Sequence, residues 1–233
     1  MGEYEYVRKN YKNLLAKIGE YEKRYGRKIT LVAVTKSGSD EELLALAEAG
    51  VTDIGENRPT ELKRRAELLC EHGYRPGLHE IGNLQRNKVK LVIDISTLIH
   101  SVGKYELAEE ISRQAVRLGI TVPVLIEVNC ASEEQKGGAM PEDAVPLFLK
   151  VRELPGISVA GIMTMGPAGL DAEEIRPYFK LTKNLFDRIN ECYGFDGEGI
   201  LSMGMSDSYA VAIEEGSTLI RVGRKLFDKN EGR

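Results

Sequence analysis

The 233-residue chain is predicted to be an α/β protein, one (β/α)8 TIM-type barrel over residues 1–233 with an extra N-terminal helix. Three observations carry this. Eight short apolar runs recur along the chain, helical segments alternate with them, and no low-complexity linker divides the series. Right-handed βα crossovers repeated eight times close on themselves. A doubly wound open sheet is the runner-up, but the turn after the first strand, KSGSDEE, has one glycine and no GxGxxG.

The N-terminal segment places Tyr4, Val7, Tyr11, Leu14, Leu15, Ile18, Tyr21 and Tyr25 in three- and four-residue steps, one stripe of a helix packed on the barrel. TLVAVTK is strand one. Ser39 and Glu42 then have the spacing of a capping box, opening a helix that Gly50 closes. VTDIGEN is strand two, followed by a helix with Pro59 in its first turn. LHEIG is strand three, with QRNKVKLVI helical after it. STLIHSV is strand four, and its helix ends at Gly119. VPVLIEVN is strand five, leading through CASEEQKGGAM into a helix from Pro141. VAGIMTM is strand six, and Asp171 starts a long helix ending near Gly194. ILSMGMS, a helix over YAVAIEEG, and STLIRVG complete the order.

Composition narrows the function. Net charge is −4, with 32 basic and 36 acidic residues interleaved, so no basic surplus points to nucleic acid. No run approaches membrane length, and no signal-peptide pattern opens the chain. Cys70, Cys130 and Cys192 are odd in number and far apart, which argues for a reducing, cytoplasmic compartment. Each is expected as a small buried hydrophobe. His72, His79 and His100 lack metal-ligand spacing, so no metal site is expected.

In this fold the active site lies at the C-terminal ends of the strands. Lys36 ends strand one there. Alone it reads as a lysine reaching water, but a partly desolvated amine can also attack a carbonyl to form an imine. After strand seven, Met203-Gly-Met-Ser-Asp-Ser208 offers hydroxyls at the start of a helix, and Gly223 follows strand eight. Both loops suit a phosphate, although Ser206 could be only a cap and Gly223 only a turn. A phosphate seat facing an amine suggests a phosphorylated aldehyde. Arg221, in STLIRVG, would be costly to bury unpaired. Facing the ring nitrogen of pyridoxal phosphate it would keep that nitrogen unprotonated; an ion pair with a neighbouring strand's acid is the alternative.

These residues carry a family resemblance. AVTK with Lys36, GEN at 55–57, HxIGxLQxNK from His79 to Lys88, GIMTM at 161–165, LSMGMSD at 201–207 and GSTLIRVG at 216–223 occur in order. Together they resemble the pyridoxal phosphate homeostasis proteins, the YggS/PROSC family with an alanine-racemase-type N-terminal barrel. The resemblance implies pyridoxal 5′-phosphate held as an imine on Lys36, with phosphate contacts from Ser206 and Gly223 and Arg221 at the ring nitrogen. Asn57, His79 and Met163 would line the pocket. It further implies a monomer that buffers the cofactor and transfers it to apoenzymes, without established turnover. The chain departs from the family at Arg58 and Glu80, where aromatic residues are usual, while Lys136 keeps a basic position.

Two enzymes compete with that reading. Low-activity amino-acid racemisation needs acids or bases on both faces of the cofactor, and only Lys36 is an evident one; full-length racemases also add a C-terminal domain for which the chain leaves no room. A lysine-imine aldolase would need a carboxylate and a second lysine at the mouth, and no such pair is evident.

Overall fold

The computed structural model describes residues 3–131 and 137–231. Strands β1 (Thr30–Val34), β2 (Asp53–Glu56), β3 (Gly77–Glu80), β4 (Leu98–Val102), β5 (Val122–Val128), β6 (Ile157–Thr164), β7 (Ile200–Ser202) and β8 (Leu219–Val222) pair in parallel, in chain order. β8 returns to β1, with Thr30 opposite Leu219 and Val32 opposite Arg221, so the barrel is closed. Outside it lie α1 (Glu5–Tyr25), α2 (Asp40–Glu48), α3 (Pro59–Glu71), α4 (Tyr105–Leu118), α5 (Ala144–Arg152), α6 (Ala172–Tyr193), α7 (Tyr209–Glu214) and α8 (Arg224–Phe227).

Local sequence accounts for the boundaries. Ser39 Oγ accepts the Glu42 N–H at 3.2 Å while Glu42 accepts the Ser39 N–H at 2.6 Å, closing the capping box of α2. Asp171 and Glu174 do the same for α6. QRNKVKLVI forms a 3-10 helix over Arg86–Leu91 instead of an α-helix. Asn87 and three β-branched residues, Val89, Val92 and Ile93, give it little helix preference, and burial of those three selects the tighter turn. α1 packs through Val7, Tyr11, Leu14 and Ile18. Asn10 Nδ2, also buried, donates to the Leu226 and Asp228 carbonyls and so ties the chain's two ends together.

The strands obey a period of two. Leu31, Ala33, Ile220 and Val222 face α1 and α2, and Ile99, Ile126, Ile162 and Leu201 face the helices on the other side. Val32, Leu98, Leu125, Ala160, Met163 and Leu219 form a separate apolar cluster inside the barrel. Cys130 is buried, but Cys70 and Cys192 are exposed, contrary to expectation. Each lies near the C-terminal end of its helix, α3 or α6, on the side away from the barrel.

Glu80 faces outward from β3, yet α3 covers it completely. Its Oε1 accepts the Gly82 N–H at 3.0 Å, and its Oε2 has no partner among the described residues. Across the ladder stands Glu56, which accepts from Thr35 Oγ1 at 2.5 Å and lies 3.2 Å from Arg65 Nε. Burial first, and then the Glu56 charge, push the Glu80 pKa up to about 7 against the Gly82 hydrogen bond. The folded chain therefore keeps a proton that an unfolded glutamate releases near 4.5, so this group makes stability fall as pH rises from about 4.5 to 7. The effect is on the order of 3 kcal/mol at about 1.36 kcal/mol per unit. Urea unfolding at pH 5 and pH 8 should show Glu80→Gln gaining on the wild type at the higher pH; a pH-independent difference would reject the assignment.

Candidate functional site

Parity sets which residues face the barrel's C-terminal mouth. Val34 and Lys36 continue the inward row begun by Val32, Asn57 follows β2, and Arg221 and Gly223 follow Leu219. Lys36, Asn57, Ser206, Arg221 and Gly223 line one cavity of about 520 Å³, a size suited to a small cofactor. Gly223 is required by close approach, because a Cβ there would lie 2.9 Å from the Val34 carbonyl oxygen. Its N–H donates to Ser206 Oγ at 3.3 Å, so the loops after β7 and β8 meet at that hydroxyl. α7 begins at Tyr209, where YAVAIEEG was expected to turn helical, so Ser206 is not its cap; Ser208 stands at that position and its Oγ accepts the Met205 N–H.

Arg221 is 4 % exposed and donates to Ser202 Oγ and, at 2.9 Å, to the Thr164 carbonyl. Burial lowers its pKa to about 10, opposed by the charge of Glu127. The ion pair weighed from sequence is absent among the described residues, since no acid lies within 4 Å of this guanidinium.

Glu127 is a site residue that sequence reasoning passed over. It lines the same cavity and is 6 % exposed, and while its backbone carbonyl accepts the Ala139 N–H at 2.7 Å, its carboxylate makes no hydrogen bond among the described residues. Burial raises its pKa to about 6, with Arg221 pulling the other way. A signal existed: it is the one charge in VPVLIEVN, at the inward parity of Leu125.

Two predicted lining residues lie elsewhere. Met163 is 1 % exposed within the apolar cluster inside the barrel, and Met165, two residues on, lines the cavity. β6 carries a register shift opposite Val124 and Leu125, which changes how far along it the mouth is reached. His79 is also inside the barrel, below the cavity, bonded to His100 and Asp53. Its short strand holds the ring among polar partners there. Arg58 lines a neighbouring pocket with Glu56, Glu61 and Arg65, and Lys136 lies outside the described residues.

Comparison with known proteins agrees with the barrel fold. Residues 8–230 match the family described as alanine racemase, N-terminal domain. The pyridoxal phosphate homeostasis protein of Aquifex aeolicus is 39% identical over 201 residues, 86% of this chain and 87% of that one. A crystal structure of an unknown protein from Bifidobacterium adolescentis superposes with a TM-score of 0.88 at 36% identity, covering 97% of each chain. PipY of Synechococcus elongatus, solved with PLP bound, gives 0.83 at 26% identity over 95% of this chain and 100% of that one. By both the family match and the relative at 39% identity, the chain belongs to the pyridoxal phosphate homeostasis family, built on the alanine racemase N-terminal barrel.

Proposed function

We propose that the chain binds pyridoxal 5′-phosphate covalently through Lys36 and takes part in intracellular homeostasis of that cofactor, buffering it and passing it to apoenzymes. One observation carries the reading: an amine, a hydroxyl-and-backbone seat and a buried guanidinium converge on a single cavity. The residues fit the group by their chemistry. Ser206 Oγ and the Gly223 N–H suit a phosphate, and the missing Cβ at Gly223 leaves room for its oxygens. Arg221, always a donor, suits an unprotonated pyridine nitrogen, and Asn57 closes one wall. When bound, the cofactor supplies an aldehyde and an electron-accepting ring. PipY, to which the chain is similar, is solved with PLP bound, which supports the choice of cofactor. The exposed thiols of Cys70 and Cys192 support a reducing, cytoplasmic setting.

Low-turnover amino-acid racemisation is the second reading, favoured by Glu127, a proton-holding group on the same cavity as the Lys36 amine.

Borohydride reduction of protein incubated with pyridoxal phosphate, followed by peptide mass spectrometry, should place a pyridoxyl group on Lys36. An adduct on another residue, or none, would overturn the proposal.

A further inference from the structure

Inside the barrel, below the cavity, polar side chains from β2, β3, β4, β7 and β8 form one hydrogen-bonded file. Arg221 donates to Ser202 Oγ, and Ser202 Oγ lies 3.1 Å from His100 Nδ1. His100 Nε2 lies 2.9 Å from His79 Nδ1, and His79 Nε2 lies 3.0 Å from Asp53 Oδ1. The first four are all but fully buried. Asp53, the first residue of β2, is 22% exposed at the end of the barrel opposite the cavity.

The proton on each link can be assigned. Ser202 accepts from Arg221, and its own hydroxyl proton has a single acceptor in reach among the described residues, His100 Nδ1. His100 Nδ1 is then bare and its proton sits on Nε2, which donates to His79 Nδ1. His79 in turn carries its proton on Nε2 and donates to the Asp53 carboxylate. The reverse polarity needs a doubly protonated His79. It also strands the Ser202 hydroxyl proton in a fully buried position, an expensive loss. Burial above all, with the Arg221 charge nearby, holds the His100 pKa well below the usual imidazole value, so that ring is neutral.

We propose that Asp53, His79, His100 and Ser202 are positioning residues, a one-way relay that brings the negative charge of Asp53 to the inner side of Arg221 and orients the guanidinium at the cofactor site. Each link polarises the next, so a carboxylate at the far mouth helps to hold a cation buried in the barrel. Glu127, the other charge acting on Arg221, approaches from the cavity side. Asp53 is suited to anchor the file. Burial works to raise its pKa, but the hydrogen bonds from His79 and Thr52 outweigh it and leave the group below the ordinary carboxylate value. The proton assignment stands without any cofactor. Its consequence at the ring nitrogen rests on the placement of Arg221 proposed above.

The chain has only three histidines, and His72 is exposed, so the two buried rings can be followed individually. Two-bond ¹⁵N–¹H NMR correlations of the cofactor-free protein at pH 7 should show His79 and His100 both neutral and protonated at Nε2. An Nδ1–H tautomer or a doubly protonated ring at either position overturns the relay. Ser202→Ala cuts the file with little change in volume. It should weaken capture of pyridoxal phosphate about tenfold and shift the bound absorbance, the size expected for one charge-assisted hydrogen bond. Ser202→Thr, which keeps the hydroxyl, should restore both. Asp53→Asn should act in the same direction from the far end. Wild-type affinity and spectrum in both Ser202→Ala and Asp53→Asn would overturn the link to the cofactor. The imidazole spectra decide the relay even where no cofactor is captured, so the two readings fail separately.

Discussion

Gly82→Ala is expected to lower the melting temperature by roughly 6–12 °C, while Gly19→Ala, the same added methyl group, raises it by about 1–4 °C. A Cβ on Gly82 would sit 2.1 Å from the Asn57 carbonyl oxygen and 2.7 Å from its carbon. Both are backbone atoms, so no side-chain rotation relieves the overlap. Asn57 is held by β2 on one side and by the start of α3 on the other, and the Gly82 N–H is already committed to Glu80. Overpacking of this kind costs on the order of 3 kcal/mol, and each kcal/mol moves the transition of a chain this size by about 2–4 °C. Gly19 lies within α1 with no atom within 4 Å of an added Cβ. There the methyl group removes the helix penalty of glycine, about 0.5–1 kcal/mol. Circular dichroism melts of the cofactor-free variants check both signs. A Gly82→Ala protein that melts with the wild type would show that the β3 loop yields freely. Because Asn57 lines the cavity, the variant should also capture less cofactor.

The contrast between those glycines shows what a one-dimensional reading can reach. Barrel, caps and helix ends are set by signals within about ten residues, as at Ser39 with Glu42 or Asp171 with Glu174. The mouth of the barrel is nearly as readable. Strand parity alone brings Lys36, Asn57, Arg221 and Gly223 inward at the C-terminal ends, and the structure gathers them with Ser206 around one cavity. Depth is harder. Met163 and Met165 share a parity, and which one reaches the cavity depends on strand stagger and on the register shift in β6. The relay was hidden for a related reason. His79 and His100 are 21 residues apart and Ser202 another 102 beyond, so only closure of the barrel brings them into contact. Glu80 looked out of place because burial of an outward-facing strand residue depends on the helix that covers it.

Arg221→Glu should have the largest effect on the site, changing cofactor and barrel interior together. A carboxylate near the pyridine nitrogen stabilises a proton there, whereas a guanidinium excludes one, so the bound absorbance should shift. Affinity should fall at least about tenfold, since a charge-assisted donor is lost and a second carboxylate now faces Glu127. The introduced carboxylate accepts a proton where Arg221 gave one, so the Ser202 hydroxyl turns towards it and Ser202 Oγ becomes an acceptor for His100 Nδ1–H. His100 Nε2 is then bare and takes a hydrogen bond from His79 Nδ1–H. A bare His79 Nε2 facing the Asp53 carboxylate would be repelled, so His79 takes a second proton and pairs with it. The variant should therefore show a cationic His79 and an Nδ1–H His100 at pH 7, the reverse of the wild type. Reversed imidazoles with an unchanged absorbance would keep the relay and remove Arg221 from the ring nitrogen. A shifted absorbance with unreversed imidazoles would keep Arg221 at the ring and dissolve the relay.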